Sequence, residues 1–258
     1  MSILEQICAR KRIHIEERKI KIPLAELKKQ IKTVAEPRGF IKAIKKTKGP
    51  AVIAEIKKAS PAHGVIRGNF DARGIGKIFQ NSGAACLSIL TDEPYFQGKD
   101  SYLSDTHAIT TIPILRKDFM LDEYQIYESR ALGADCILLI MAALDLAQAK
   151  KLYALAEKLG MDVLVEIHDA DELSKALKLE PAMIGINNRN LKTLKVDVDT
   201  SFQLLPQIPK EMVKISESGI SDRPTIDSLI EAGFDGFLIG EGLMRQVDIG
   251  ASLRDLTA

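Results

Sequence analysis

Cysteine is scarce, neither charge is in surplus, and no apolar run is long enough to span a membrane. The three cysteines, Cys8, Cys86 and Cys136, are widely spaced and odd in number. Two of them sit in or beside apolar runs, where a thiol packs as a small hydrophobe. A disulfide framework is therefore not expected, and a reducing compartment is. Lys and Arg total 36 against 35 Asp and Glu, a formal net charge of +1. Such a balance offers no general attraction to nucleic acid or to a membrane surface, so an anionic ligand must be held by local groups. The opening MSILEQICARKRIHIEERK is charged throughout and has no apolar stretch of the kind a signal peptide needs. A cytoplasmic chain is the expectation. His14, His63, His107 and His168 show no metal-ligand spacing. There is no Gly-x-Ser-x-Gly elbow, Walker loop or HExxH string, so neither a hydrolytic triad nor a zinc enzyme is expected.

What the chain does have is a repeated grammar. Its 258 residues are 46% hydrophobic, enough for a large core. The first segment reads as helix: residues 2–19 with apolar Ile3, Ile7, Ile13 and Ile15 and Ser2 as a cap, then 24–31, a break at Pro37-Arg38-Gly39, and 40–46. From Ala51 onward, short strands alternate with longer amphipathic helices. Eight strands are expected at 51–56, 86–90, 113–115 with its tail, 136–141, 163–167, 183–186, 213–216 and 236–239. Most are continuous Val/Ile/Leu runs, as parallel strands covered by helices require. Helices are expected over 122–132, 146–159 and 221–232, each stopped by a glycine. Eight such units predict an α/β chain folded as a closed (β/α)8 TIM barrel, with an open doubly wound sheet as the alternative. One domain is expected, with residues 1–48 an N-terminal helical extension and 49–258 the barrel.

The chemistry lies where the strands end, and in a parallel barrel all those ends share one rim. Glu217-Ser218-Gly219 follows the seventh strand and Gly240-Glu241-Gly242 the eighth. Barrels bind phosphate there through glycine N–H groups and a helix N-terminus. Gly240-Glu241-Gly242 and Gly74-Ile75-Gly76 both fail as dinucleotide fingerprints. Glu55 and Lys57 lie two apart on one face of the first strand, Lys117 closes the third and Glu166 the fifth. Lysines and carboxylates gathered at one rim suit acid–base chemistry, with a lysine pKa expected to be lowered by burial and neighbouring positive charge. A structural ion-pair network is the plainer alternative. Asn187, Asn188 and Arg189 end the sixth strand, where Asn can position a hydroxyl or carbonyl and Arg can brace a carboxylate. His168 is expected to point away from Glu166, toward the helices or a loop.

Six strings, in order along the chain, resemble the signatures of the indole-3-glycerol-phosphate synthase family of tryptophan biosynthesis. They are Glu-Ile-Lys-Lys-Ala-Ser-Pro at 55–61, Leu-Arg-Lys-Asp-Phe at 115–119, Leu-Val-Glu-Ile-His at 164–168, Ile-Gly-Ile-Asn-Asn-Arg-Asn-Leu at 184–191, Ser-Glu-Ser-Gly-Ile at 216–220 and Phe-Leu-Ile-Gly at 237–240. The resemblance implies a lyase that closes an indole ring. The aryl carbon of 1-(2-carboxyphenylamino)-1-deoxyribulose 5-phosphate attacks the ketone, and carbon dioxide and water then leave.

The resemblance also implies roles. Lys117 matches the general acid and Glu166 the base or dehydration acid–base. Lys57 and Glu55 match the first-strand pair. Ser60 and Asn187 match substrate-positioning residues, Arg189 a brace near the carboxylates and Glu217 a hydroxyl-contacting acid. Ser218, Gly219, Gly240 and Glu241 match a phosphate cradle, and Phe96, Phe119, Leu138 and Leu191 the apolar walls. No cofactor or metal is implied. The expected partner is a small sugar phosphate, and the chain is expected to be a monomer with at most weak contact to other enzymes of the pathway. Two departures stand out. Ala62 and His63 replace the Ser-Lys common after the first Ser-Pro, and Glu241 stands where relatives carry Ser or Thr. The Glu241 side chain is expected to turn away from the anion. The N-terminal helices resemble the family's extension near the catalytic mouth, although an oligomer contact fits their sequence equally. The rivals are phosphoribosylanthranilate isomerase, whose first-strand Cys and sixth-strand Asp are missing here, and a non-catalytic phosphate-binding barrel.

Overall fold

The computed structural model describes residues 2–191 and 193–258. Eight parallel strands close into a barrel: β1 Val52–Ile56, β2 Cys86–Leu90, β3 Ile114–Lys117, β4 Cys136–Ile140, β5 Asp162–Ile167, β6 Met183–Asn187, β7 Val213–Glu217 and β8 Gly236–Ile239. Each pairs with its neighbours in sequence, and β8 closes on β1. The strands fall where the apolar runs are, and a helix covers the outside of the sheet between most of them. Their ends are written in cap chemistry. Asp122, Asp145 and Asp222 each accept a first-turn N–H, and Gly233 leaves the helix Arg223–Ala232 in the left-handed conformation at φ 115°. The last of these helices starts from Asp222 and not from Ser221, because a carboxylate one residue later reaches the Thr225 N–H.

Alternate residues of each strand point opposite ways and build two cores. Val52, Ala54, Ile56, Leu87, Ile89, Val163 and Val165 pack outward under the helices. Ile53, Cys86, Leu115, Cys136, Leu138, Leu164, Met183, Ile215 and Leu238 fill the barrel. The inward series then continues into polar residues at the carboxyl ends: Glu55 after Ile53, Lys117 after Leu115, Glu166 after Leu164, Asn187 after Gly185 and Glu217 after Ile215. The two-residue period thus explains why each charged residue is preceded by a hydrophobic one two places earlier. All three cysteines are buried and free.

The first three helices are α1 Ile3–Lys21, α2 Leu24–Ile31 and α3 Phe40–Lys46. They divide their work between the two barrel ends. Phe40 and Ile44 of α3 pack into the inner core beside Ala51 and Cys86, at the amino-terminal end of the strands. The Ile41 N–H donates to Asp162, and the Arg38 N–H to Asp135, which fixes α3 there. Helix α1 instead lies against the carboxyl end. Its buried face is Ile7, Cys8, Lys11 and Ile15, while Ile13 is exposed, so the apolar stripe expected through Ile13 is corrected. Positions 7, 8, 11 and 15 share one side of a 3.6-residue helix, and 13 does not.

Lys11 is the polar member of that face and is 4% exposed. Its ammonium lies 2.7 Å from Asp92, after β2, and 2.7 Å from Asp118, after β3. One helical face further along, Arg18 reaches Glu128 at 2.8 Å and Asp100 at 3.1 Å. The same two carboxylates hold the buried Arg116, which points outward from β3 where Lys117 points inward. Breaking a buried pair by removing one partner leaves uncompensated charge. Lys11→Met is therefore expected to lower the unfolding free energy by about 3 kcal/mol, read as a shift of the urea midpoint. An unchanged midpoint would show that α1 is held by its apolar contacts alone.

Candidate active site at the carboxyl end of the barrel

The inward polar residues converge on one cavity of about 590 Å³. Its floor is the inner core, through Leu138, Ile140 and Leu238. The centre is an ion triad. Lys117 Nζ lies 2.9 Å from Glu166 Oε2 and 2.6 Å from Glu217 Oε2, joining β3, β5 and β7. Beside it, Lys57 Nζ lies 2.6 Å from Glu55 Oε1 at the end of β1. Lys57 is thus paired with a carboxylate and does not act as a neighbouring positive charge on Lys117.

That arrangement reverses one expectation. Burial alone would lower the Lys117 pKa, but the carboxylates of Glu166, Glu217 and Glu55 outweigh it and hold the ammonium well above the ordinary lysine value. The expected lowering fails because the charges around Lys117 are negative. The two carboxylates of the triad are driven apart. Burial would raise Glu166 as well, but Lys117 and His168 hold it below the usual carboxylate range. Glu217 is pushed up to about 7, chiefly by burial, with Lys117 opposing and Glu166 adding to the rise. Lys117 as found is charged and locked.

Two glycines make room for these acids. A Cβ at Gly185 on β6 would collide with the Glu217 carboxyl, and one at Gly240 would collide with Glu55. The string Ile-Gly-Ile-Asn at 184–187 thus carries a vacancy as well as a side chain.

The turn after β7 has Ser218 and Gly219 in succession at φ 68° and 81°. Ser218 is a non-glycine residue in left-handed backbone, a conformation held by its surroundings. Asn188 provides them. Buried at the end of β6, it donates to the Ser218 carbonyl at 3.0 Å and to Ser216 Oγ at 3.1 Å, while its own oxygen accepts from the Ser201 hydroxyl at 2.8 Å. Asn188 is therefore a strut, whereas Asn187 faces the cavity and accepts from the Arg189 N–H at 3.0 Å. Beyond β8, Gly240 caps the short helix Glu241–Met244, its carbonyl accepting from the Leu243 and Met244 N–H groups, so that those of Glu241 and Gly242 open the helix. Both turns lie on the cavity wall.

Nearly every residue singled out from the sequence lines this cavity. Phe96 and Phe119 bring their rings to 6.1 Å between centroids, and Leu138 and Leu191 complete an apolar side. Arg189 is held by the Leu194 carbonyl at 3.1 Å and reaches the same space. Ser60 does not line it. It sits in the strand Ala59–Ser60, paired antiparallel with Gly64–Val65, and its hydroxyl is buried without a partner.

The Glu241 side chain is taken up by cationic neighbours. It stays at the cavity mouth, where Arg245 at 2.8 Å, His63 at 3.0 Å and Arg189 at 3.9 Å surround its carboxylate. The two departures from the family strings, His63 and Glu241, meet each other. His168 meets Glu172 of the adjoining helix, as expected, but does not point away from Glu166. Its ring faces Glu166 at 3.3 Å, because residues two apart in an extended segment share a face. Among the described residues, no group of three or more His, Cys, Asp or Glu side chains is placed to hold a metal ion.

Comparisons with known proteins bear on the family and the fold. A family model described as indole-3-glycerol phosphate synthase matches residues 4–256. Among solved structures, the fold is similar to 3-hexulose-6-phosphate synthase from Salmonella typhimurium, with a TM-score of 0.64 at 12% identity over 80% of this chain and 96% of that one. It is also similar to a mutant tryptophan synthase alpha-subunit from Pyrococcus furiosus, with a TM-score of 0.60 at 14% identity over 81% of this chain and 98% of that one. At such identities the structural likeness concerns the fold alone.

The raised Glu217 carboxyl has a consequence for stability. Such a group binds more protons folded than unfolded between its ordinary value of 4.5 and about 7, so it costs stability as pH climbs through that window. Glu217→Gln removes the cost. Its melting temperature relative to the unaltered protein is expected to rise between about pH 5 and about pH 8. A difference that stays constant across that range would contradict the raised value.

Proposed function

The chain belongs to the indole-3-glycerol phosphate synthase family, and we propose that its cavity closes the indole ring with Lys117 as general acid and Glu166 as general base. The observation that carries these roles is the triad, in which one buried ammonium sits between two carboxylates inside a cavity whose rim also holds two turns suited to a phosphate.

The substrate, 1-(2-carboxyphenylamino)-1-deoxyribulose 5-phosphate, has a flat aromatic end, a ketone and an anionic tail, and the cavity offers a place for each. Phe96, Phe119, Leu138 and Leu191 face the aromatic ring. The backbone of Ser218-Gly219 and Gly240-Glu241 takes the phosphate. Arg189 and Lys57 are within reach of the carboxylate, and Asn187 and Glu217 of the sugar hydroxyls. As the ketone oxygen enters, Lys117 turns to it and donates a proton while the aryl carbon bonds to the ketone carbon. The carbon–carboxylate bond then breaks and carbon dioxide leaves. In the last stage Glu166 takes the proton from the neighbouring carbon and passes it to the new hydroxyl, which departs as water and leaves the five-membered ring aromatic, while Lys117 regains its proton from solvent. Proton transfers by positioned groups of this kind contribute about 10²–10⁴-fold each.

The reading makes the chain a carboxy-lyase of tryptophan biosynthesis, acting as a cytoplasmic monomer on a small phosphorylated substrate. No helix among the described residues is long and apolar enough to cross a membrane.

The direct test is to add the substrate and follow indole fluorescence, which the chain, having no tryptophan, does not mask. Lys117→Met and Glu166→Gln are each expected to cut turnover by about a hundredfold or more with the far-ultraviolet circular dichroism unchanged. Near-normal rates in either variant would remove that residue from its role. Tight ligand binding with no indole formed would favour a binding barrel that does no chemistry.

A further inference from the structure

His168 follows directly after β5 and its side chain is only 7% exposed, yet it does not line the cavity. It lies behind Glu166. Its position is fixed from the other side by Glu172, in the first turn of the helix Ala170–Ala176. The same Glu172 oxygen accepts from the His168 backbone N–H at 2.9 Å and meets the ring Nδ1 at 3.0 Å. Gripped at both points, the ring directs Nε2 at Glu166 Oε1, 3.3 Å away. That contact is close enough for an ion pair but lies off the line of a hydrogen bond, and Nε2 has no other partner. Glu166 thus has a cation at each oxygen, with His168 behind Oε1 and Lys117 in front of Oε2.

We propose that His168 is a positioning residue for Glu166, clamped by Glu172 so that the carboxylate keeps a cationic partner when Lys117 turns to the substrate. The proposal rests on the assignment of Glu166 as the base. Lys117 cannot serve the ketone oxygen and hold Glu166 in the same geometry. Once it turns, Glu166 would be a buried carboxylate facing only Glu217, and such a group takes up a proton before it is needed. His168 prevents that. The small misalignment at Nε2 is what a carboxylate drawn forward by Lys117 would show, and a slight swing back completes the bond.

The charged groups facing Glu166 and His168 are Lys117 from β3, Glu217 from β7 and Glu172 from the adjoining helix, with Glu55 of β1 beyond Lys117. Their balance keeps the ring cationic. Burial would lower the His168 pKa, but the neighbouring carboxylates of Glu166 and Glu172 raise it to about 10.

The test compares His168→Gln and Glu172→Gln with the unaltered protein. In both variants the acid limb of the kcat profile is expected to move up by about one unit, because an opposite charge at this range shifts a carboxyl by that much or more. At pH values on that limb this gives a loss of about tenfold in kcat that fades toward neutral pH, with KM changed by less than about threefold. A purely structural role would not move the limb, so a loss confined to KM or equal at every pH would overturn the proposal. Nitrogen-15 NMR of the His168 ring gives a second arm that needs no turnover. The ring is expected to stay cationic past about pH 8, and a titration near the ordinary value of about 6.5 would also overturn the proposal, even if the variants fail to fold. An unaltered protein that makes no indole would instead defeat the functional reading, and the NMR arm separates that outcome from failure of the clamp.

Discussion

A single ammonium held between two carboxylates organises the cavity. Lys117 joins β3, β5 and β7 through Glu166 and Glu217; both carboxylates are buried and the ammonium keeps only a small exposure toward the cavity. Burying such charges costs several kcal/mol per ion unless each finds partners in good geometry. A parallel barrel is a frame that can supply this, because neighbouring strands present their inward residues at fixed spacing around a closed ring. The inner core below the triad excludes water from one side, and Gly185 and Gly240 give up their side chains so that Glu217 and Glu55 can fit. Charge, packing and glycine placement are therefore one constraint, and altering any of them disturbs the others.

The N-terminal helices belong to the same constraint. Residues 116, 117 and 118 alternate outward, inward and outward at the end of β3. Arg116 enters the network with Asp100 and Glu128, Lys117 enters the cavity, and Asp118 receives Lys11 from α1. The helix is thus tied to the residues on either side of the central lysine. Leu4 of α1 also reaches the cavity wall. Meanwhile α3 closes the opposite end of the barrel, so the extension braces the cavity mouth and caps the floor at once.

Much of this was legible in the residues. The eight strands could be placed because each is a short Val/Ile/Leu run between capped helices, and local propensity and burial agree there. The cavity could be anticipated because Glu55, Lys117, Glu166, Asn187 and Glu217 are polar at positions where the inward pattern calls for apolar residues. Pairings across the barrel were not legible. The sign of the Lys117 shift depends on which charges stand opposite it, and its partners lie 49 and 100 residues away. The meeting of His63 with Glu241 depends in the same way on loop geometry. His168 was legible in principle, since the two-residue period puts it on the face of Glu166. The face of α1 was less so, because a buried lysine in a helical stripe reads as exposed until Asp92 and Asp118 are found beneath it.

The central claim is that substrate draws Lys117 out of its carboxylate cage. A crystal structure with the substrate's ketone reduced to an unreactive alcohol tests it most directly. The account requires Nζ within hydrogen-bond distance of the alcohol oxygen, parted from at least one of Glu166 and Glu217, with the phosphate on the backbone of Ser218-Gly219 and Gly240-Glu241. An analogue bound with Lys117 still held by both carboxylates, or with its phosphate away from those turns, would contradict it.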